Sequence, residues 1–421
     1  MKRVVFIGAF VSILSGFVFS RDVYSWDDKV THRQLSEFAA ENSILDITKG
    51  DYLKNLGFDE GLNEKFKWDK EKTVKEWISE GAELEDAGTK WEAVTGKARF
   101  NNHFHNPRKI WTDAGLDDTV LGLHYTGESS VIWAQDFDKQ QNAVGGNWSW
   151  QKIRQSYYDA LTGQTEEFRQ AFFAVTFSGL GQQMHLIEDM GQPDHVRNDA
   201  HPEDAMFGKN VLNGSRYFET WAKEKFKTLP DLKAFAPNPI LPVVSFNSDN
   251  GYIPISRLID TKQYYNGGTP STSLSQGLAE YTNANFFSND TLFAAERYPI
   301  GDGHYFPFPR RESTDLQSFI NGTKPSETIT AEDNTTDKGV WISKTSDGEF
   351  VGHFARSSFN TKYVYNIFGE GNLFYRTFYR DEKCHEDYAS LLIPRAVGYS
   401  AGLLDYFFRG TLEITAPDAY V

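Results

Sequence analysis

Phe173-Ala-Val-Thr-Phe177-Ser-Gly-Leu180-Gly-Gln-Gln-Met184-His185-Leu-Ile-Glu-Asp189-Met-Gly-Gln-Pro193-Asp-His195 is the stretch on which the fold turns. Phe173, Phe177, Leu180 and Met184 recur at +4, +7 and +11, the spacing of one buried face of a long helix. Thr165 stands where an N-cap belongs, with Glu166 and Glu167 at the positive end. The Gly191-Gln-Pro193 turn ends the helix, because proline cannot continue it. His185 and Asp189 are four apart and share a face, one turn from each other. Gly181, a turn earlier, leaves room beside them for something bulky. His195, just past the turn, can fold back to the same spot.

Further helices are expected on both sides. Thr31 can cap one carrying Leu35, Phe38 and Ala39, a second runs around Val74, Trp77 and Ile78, and a third begins near Trp150. Others fit Tyr217 to Phe226 and Leu274 to Phe287. Val397, Ala401, Leu404 and Phe408 repeat the +4, +7, +11 spacing in a final helix stopped by Gly410. Between them, 301–380 is rich in Gly, Ser, Thr and aromatics. Val340-Trp-Ile342 and Phe350-Val351 there flank a hairpin-like Ser346-Asp-Gly348 turn. The expected fold is therefore mainly α. One helical domain spans 26–300 and 381–410, a β-rich insertion at 301–380 precedes its last helix, and 411–421 forms a tail.

The 421 residues suffice for a large core, and 15% aromatic content argues against disorder. The single Cys384 excludes a disulfide framework and cysteine-based zinc motifs, and is expected to be buried or incidental. With 43 Lys and Arg against 58 Asp and Glu, the net charge is −15, so a stable nucleic-acid complex is not expected. Met1-Lys-Arg3, the apolar Val4 to Phe19 and the polar Ser20-Arg-Asp22 read as a secretory signal peptide over 1–25, with an uncleaved anchor as the alternative. Cleavage after Ser20 leaves Arg21 first. Cleavage after Ser25 leaves Trp26 first and a mature charge of −17, since Lys2, Arg3, Arg21 and Asp22 are lost. The product is expected to be secreted or periplasmic.

Only ten His occur, and several stand among carboxylates: His32, Asp86 in Gly81-Ala-Glu-Leu-Glu-Asp86, and His103 in His103-Phe-His-Asn-Pro107. Imidazole and carboxylate without thiolate suit catalytic zinc sites, which keep a position open for water. Glu83, Glu85 and Glu188 stand close by as supporting carboxylates, and His124 as a packed residue in Leu-His-Tyr. His105, His304, His353 and His385 read as structural or substrate-facing.

His185-Leu-Ile-Glu-Asp189-Met-Gly-Gln-Pro-Asp-His195 resembles the central metal motif of zinc-dependent phospholipases C and of the related single-strand-specific zinc nucleases. His103-Phe-His-Asn-Pro107, Gly81 to Asp86, Phe218-Glu-Thr-Trp-Ala222 and Pro394-Arg-Ala-Val-Gly-Tyr399 resemble further elements of the phospholipase branch, in order. The resemblance implies that Asp86, His103, His185 and Asp189 hold one zinc. It implies that Asp189 bridges to a second zinc, bound also by His32 and by the amino nitrogen and carbonyl oxygen of an N-terminal Trp26. A third site would use His195 and Glu219. There the family has a histidine four residues before the glutamate, and this chain has Ser215, so His201 or water would take that place.

The implied activity is water-driven hydrolysis of a phosphodiester, most closely of a phospholipid, with Asp86 orienting the water. Phe100 matches an aromatic that contacts the headgroup, and Ala87 replaces another. Peripheral membrane contact is expected. The alternatives are a single-strand nuclease and a zinc-binding module that has lost catalysis.

Overall fold

The computed structural model describes residues 28–120, 122–202, 216–243, 254–288, 293, 306–330 and 336–409. These are mainly helical, with four small antiparallel sheets. The principal helices are α1 (Arg33–Glu41), α2 (Val74–Leu84), α3 (Trp150–Thr162), α4 (Glu166–Glu188), α5 (Pro193–Val196), α6 (Phe218–Lys225), α7 (Leu278–Asn285), α8 (Thr361–Phe368) and α9 (Glu382–Phe407). The strands are β1 (Lys65–Lys67), β2 (Glu71–Thr73), β3 (Asp117–Val120), β4 (Leu123–Thr126), β5 (Glu327–Thr330), β6 (Thr336–Gly339), β7 (Trp341–Lys344), β8 (Val351–Ser357) and β9 (Phe378–Tyr379).

The central helix is α4. Thr165 accepts a hydrogen bond from Phe168 N at 3.2 Å, which caps it as the sequence predicts. From Thr176 onward every residue of α4 is buried, so this half is enclosed on all sides by α2, α3 and α9. Its closest neighbour is α2, capped by Thr73 and Glu76 in a reciprocal pair of bonds. Two glycines set that approach. A Cβ on Gly181 would lie 1.9 Å from Ile78 O, and one on Gly81 would lie 1.9 Å from Ser178 O. The space beside Gly181 is thus taken by the backbone of α2 and not by a bulky group. The crossing brings the Asp86 end of α2 to the His185 end of α4.

Several boundaries differ from expectation. Thr31 does not cap α1: a π-helical turn, Asp28–His32, runs directly into it. The wider turn leaves His32 buried on the inner side, which explains why the cap is bypassed. The α7 helix starts at Leu278, because Glu280 accepts hydrogen bonds from the backbone N–H groups of Gly277, Thr261 and Tyr264 and fixes the chain there as a turn.

The stretch expected to be β-rich holds both element types. β5 and β6 form one hairpin; β7, β8 and β9 form a three-stranded sheet with Trp341 opposite Arg356 and Arg356 opposite Tyr379. The turn between β7 and β8 uses Asp347 and Gly348 at φ +60° and +92°, as the Ser346-Asp-Gly348 signal predicts. The helical α8, with short helices Leu316–Ile320 and Asn372–Tyr375, was not anticipated. Its Thr-Lys-Tyr-Val-Tyr-Asn-Ile-Phe sequence favours strand locally. Burial of Thr361 and Val364, one turn apart, overrides that preference.

One apolar core takes in Leu35, Trp77, Phe177, Ile187, Ile342, Phe354, Val397 and Phe408 alike. Val397, Ala401, Leu404 and Phe408 are buried as their spacing predicts. Residues 1–25, Trp26, Ser215, His304, Gly410 and the tail 411–421 lie outside the described residues. No helix among the described residues is long and apolar enough to cross a membrane.

Candidate metal centre

At the end of α4 four side chains from three parts of the chain face one point. Asp86 follows α2, His103 follows a 3-10 turn at Arg99–Asn102, and His185 and Asp189 end α4. His103 Nδ1 lies 3.4 Å from Asp86 Oδ1, 3.1 Å from His185 Nε2 and 2.8 Å from Asp189 Oδ2. His185 Nε2 lies 3.5 Å from Asp86 Oδ1 and 3.2 Å from Asp189 Oδ2. Ligands about 2.0–2.1 Å from a tetrahedral cation sit about 3.3 Å from one another. Five edges of the quartet therefore match a tetrahedron around one ion. Both Asp86 oxygens are buried with no hydrogen bond, a cost that a bound cation removes.

The other oxygen of Asp189 serves a second group. Its Oδ1 is 3.3 Å from His32 Nε2 and 3.5 Å from His195 Nδ1. The His32 ring stacks on His185 with centroids 3.6 Å apart. A third group lies beyond: Glu219, in the first turn of α6, places Oε1 3.2 Å from His195 Nε2 and Oε2 3.2 Å from His201 Nε2. His32–His185–Asp189, Asp86–His103–His185 and His195–His201–Glu219 each have the types and spacing to hold a metal ion.

Three of the imidazoles are held by their far nitrogens. His32 Nδ1 donates to Glu188 Oε2 at 2.7 Å, His185 Nδ1 to Ala82 O at 2.7 Å, and His201 Nδ1 to Asp199 O at 2.9 Å. Each bond fixes the tautomer and aims Nε2 at the site, the usual support of a metal-bound histidine. Glu188 is itself held by Ser36 Oγ at 2.8 Å. Glu85 accepts from Arg99 Nη2 at 2.6 Å and Trp133 Nε1 at 2.8 Å, 3.8 Å from His103 Nε2. Asp194, beside His195, accepts twice from the buried Arg380 at 2.9 and 2.8 Å.

The electrostatics agree with a cation-binding site. Burial would pull His185 down, but Asp86 and Asp189 hold it well above the ordinary histidine value. His201 is likewise well raised, burial being outweighed by Glu219. His195 is pushed up to about 9, burial being overcome by Asp189 and Glu219. Burial alone would raise Asp189 and Glu219; the imidazoles beside them hold both below the carboxylate range. Without a metal, these carboxylates keep protons on the histidines. A divalent cation would take the place of those protons.

Seven expected ligands, His32, Asp86, His103, His185, Asp189, His195 and Glu219, are thus buried together, and His201 joins Glu219. Trp26 and Ser215 cannot be placed, lying outside the described residues. Phe100 lines a small pocket with Phe104, Leu116 and Tyr125 beside His195 and His201, and among the described residues no carboxylate lines it. Glu83 is no supporting carboxylate: it pairs with Arg33 at a part-exposed surface, 2.6 Å away. His124 does not pack inside; it is exposed and 2.8 Å from Asp117.

Sequence reasoning missed Arg380, whose charge pairs with Asp194 across 186 residues. It also missed the role of His105, held between Ser129 Oγ at 2.8 Å and Asp260 Oδ2 at 3.0 Å. These three residues have the types of a nucleophilic triad, but all are buried, which makes them a brace. The backbone N–H of His105 donates to His195 O at 3.1 Å, so the brace ties the His103 segment to the third group. No protein-family model matches this chain, and no curated protein or solved structure is significantly similar to it.

Proposed function

We propose that this chain is an exported zinc-dependent phosphodiester hydrolase of the phospholipase C and single-strand nuclease type, acting on a phospholipid headgroup. The observation that carries the reading is the Asp86–His103–His185–Asp189 quartet, whose edges of 2.8 to 3.5 Å suit a tetrahedral ion with nitrogen and oxygen ligands. Imidazole and carboxylate donors suit zinc, and the resemblance of the His185–His195 motif is what singles out zinc from the other metals such donors bind. Bound there, zinc supplies charge neutralisation for a phosphodiester and acidifies water into the neutral range.

The chain's own groups do the positioning. Asp189 gives one oxygen to each of two neighbouring groups, so it sets the spacing between them. Asp86 Oδ1 faces His103, which leaves Oδ2 to accept a hydrogen bond from the attacking water and orient it. Ala82 O, Glu188 and Asp199 O hold three imidazoles in one tautomer. Ser215 favours a module that has lost catalysis, but His201 beside Glu219 offers the nitrogen donor that serine lacks.

The wall around Phe100 favours one alternative. The rings of Phe100, Phe104 and Tyr125 offer stacking faces to a flat base, which supports the nuclease reading. Mature protein of sequenced N-terminus, assayed side by side on phosphatidylcholine, phosphatidylethanolamine and single-stranded DNA, separates these. Two or three zinc per chain, Trp26 first and lipid turnover are expected. Fewer than two zinc, or no phosphodiester turnover with excess zinc, overturns the proposal.

A further inference from the structure

The stretch 358–377 carries an apolar face turned away from the protein. Phe359 is 104% exposed, Tyr363 67%, Ile367 52%, Phe368 65% and Leu373 53%. Phe359, Tyr363 and Ile367 are spaced by four, so they form one stripe along α8 and the turn before it. The opposite side is fixed: Thr361 and Val364 are buried, and the Lys362 amine donates to the carbonyls of Phe319 and Ile320. The outward direction of the stripe is therefore set by the fold. Three large apolar side chains in one stripe, with Phe368 and Leu373 also exposed in the same stretch, exceed the scattered exposure normal for a soluble surface.

We propose that this face is a docking surface for a lipid bilayer, with the outer side of α8 lying in the headgroup region. Charge is the first argument. The chain as a whole is at −15, so most of its surface is repelled by anionic lipid. The 358–377 segment instead has the exposed Arg376, with Lys362 on the inner side, against the single acid Glu370, which Arg311 engages at 2.8 Å. Arg376 is exposed and no ion pair to it occurs among the described residues. Shape is the second argument. A Phe359 ring more exposed than in an extended peptide touches almost nothing, and a deformable medium accepts such a projection where a preformed protein surface needs a matching pocket. Tyr363 adds a ring with a polar tip, suited to the boundary between headgroup and chain.

The surface rests on the lipid reading of the metal centre, because a hydrolase of bilayer phospholipid gains from staying at the interface. The test is cosedimentation of zinc-loaded mature protein with vesicles of phosphatidylcholine and phosphatidylserine in a three-to-one ratio. The triple variant F359S/Y363S/I367S is expected to bind about a hundredfold more weakly, at roughly severalfold per residue withdrawn. Val243→Ser, another exposed apolar site at 69%, should bind as the wild type does. All three proteins should melt together and hydrolyse soluble bis(p-nitrophenyl) phosphate equally. Absence of wild-type binding, or equal binding by the triple variant, overturns the surface. So does a wild-type dimer in sedimentation velocity that the triple variant converts to monomer, since a second copy then covers the face. Vesicle binding without turnover of any phosphodiester sinks the catalytic reading and leaves the surface standing.

Discussion

Asp189 concentrates the chemistry of the site in one side chain. Its Oδ2 faces His103 and His185 at 2.8 and 3.2 Å, while its Oδ1 faces His32 and His195 at 3.3 and 3.5 Å. Asn keeps the shape but removes the charge and one acceptor, so both of the proposed ions would lose a ligand together. Asp189→Asn is expected to lower bound zinc by two per chain in elemental analysis, with phosphodiesterase activity down by roughly a hundredfold or more. His201 makes a narrower case. If it completes the Glu219 group, His201→Ala lowers zinc by one and activity by about 10- to 100-fold. The exposed His124→Ala should change neither. Retention of full zinc in His201→Ala would show that water or Ser215 fills that place instead.

At the level of elements, the site exists because two helices touch backbone to backbone. Gly81 and Gly181 remove the side chains that would hold α2 and α4 apart, and that contact delivers Asp86 to His185. An added methyl at Gly181 meets the carbonyl of Ile78 at 1.9 Å, and backbone of this kind has little freedom to yield. Gly181→Ala should therefore cost about 3 kcal/mol or more in urea unfolding and reduce zinc content. Gly371→Ala, with nothing within 4 Å, should stay within about 0.5 kcal/mol of the parent. The long α4 and its donors are legible in sequence because their periodicity and spacing are local. What α2 does at Gly181 is not legible, since a glycine records only that something comes close. Glu83 and Glu85 are two apart, and turning about 200° around the helix path sends one to Arg33 at the surface and the other to Arg99 inside. Their partners lie 50 and 14 residues away, so spacing alone could not tell them apart. For α8 the local strand preference pointed the wrong way, and the burial of Thr361 and Val364 decides.

Over the whole molecule, metal binding as proposed would couple the stability of the buried cluster to both cation and protons. In the metal-free protein His195 holds its proton, with its folded value raised to about 9 from an ordinary 6.5. The metal-free folded state then binds more protons than the unfolded chain between those values, so its stability falls as pH rises. The contribution is fully present below about 6.5 and is lost on passing about 9, in total roughly 3 kcal/mol. On the acid side Asp189 and Glu219 are depressed, so their contribution holds above the ordinary carboxylate range and fades as pH falls below it. Chelated protein should accordingly be most stable near about pH 5–6. Loaded protein behaves in the opposite sense over the upper range, because each ion displaces protons and binds more tightly as they become scarce. Thermal melts of chelated and zinc-reloaded protein at pH 6, 7.5 and 9 should therefore separate progressively, with the reloaded form gaining and the chelated form losing. Curves that stay parallel across that window would mean that the histidines do not exchange protons for metal, and the cluster would then be an ion-paired brace.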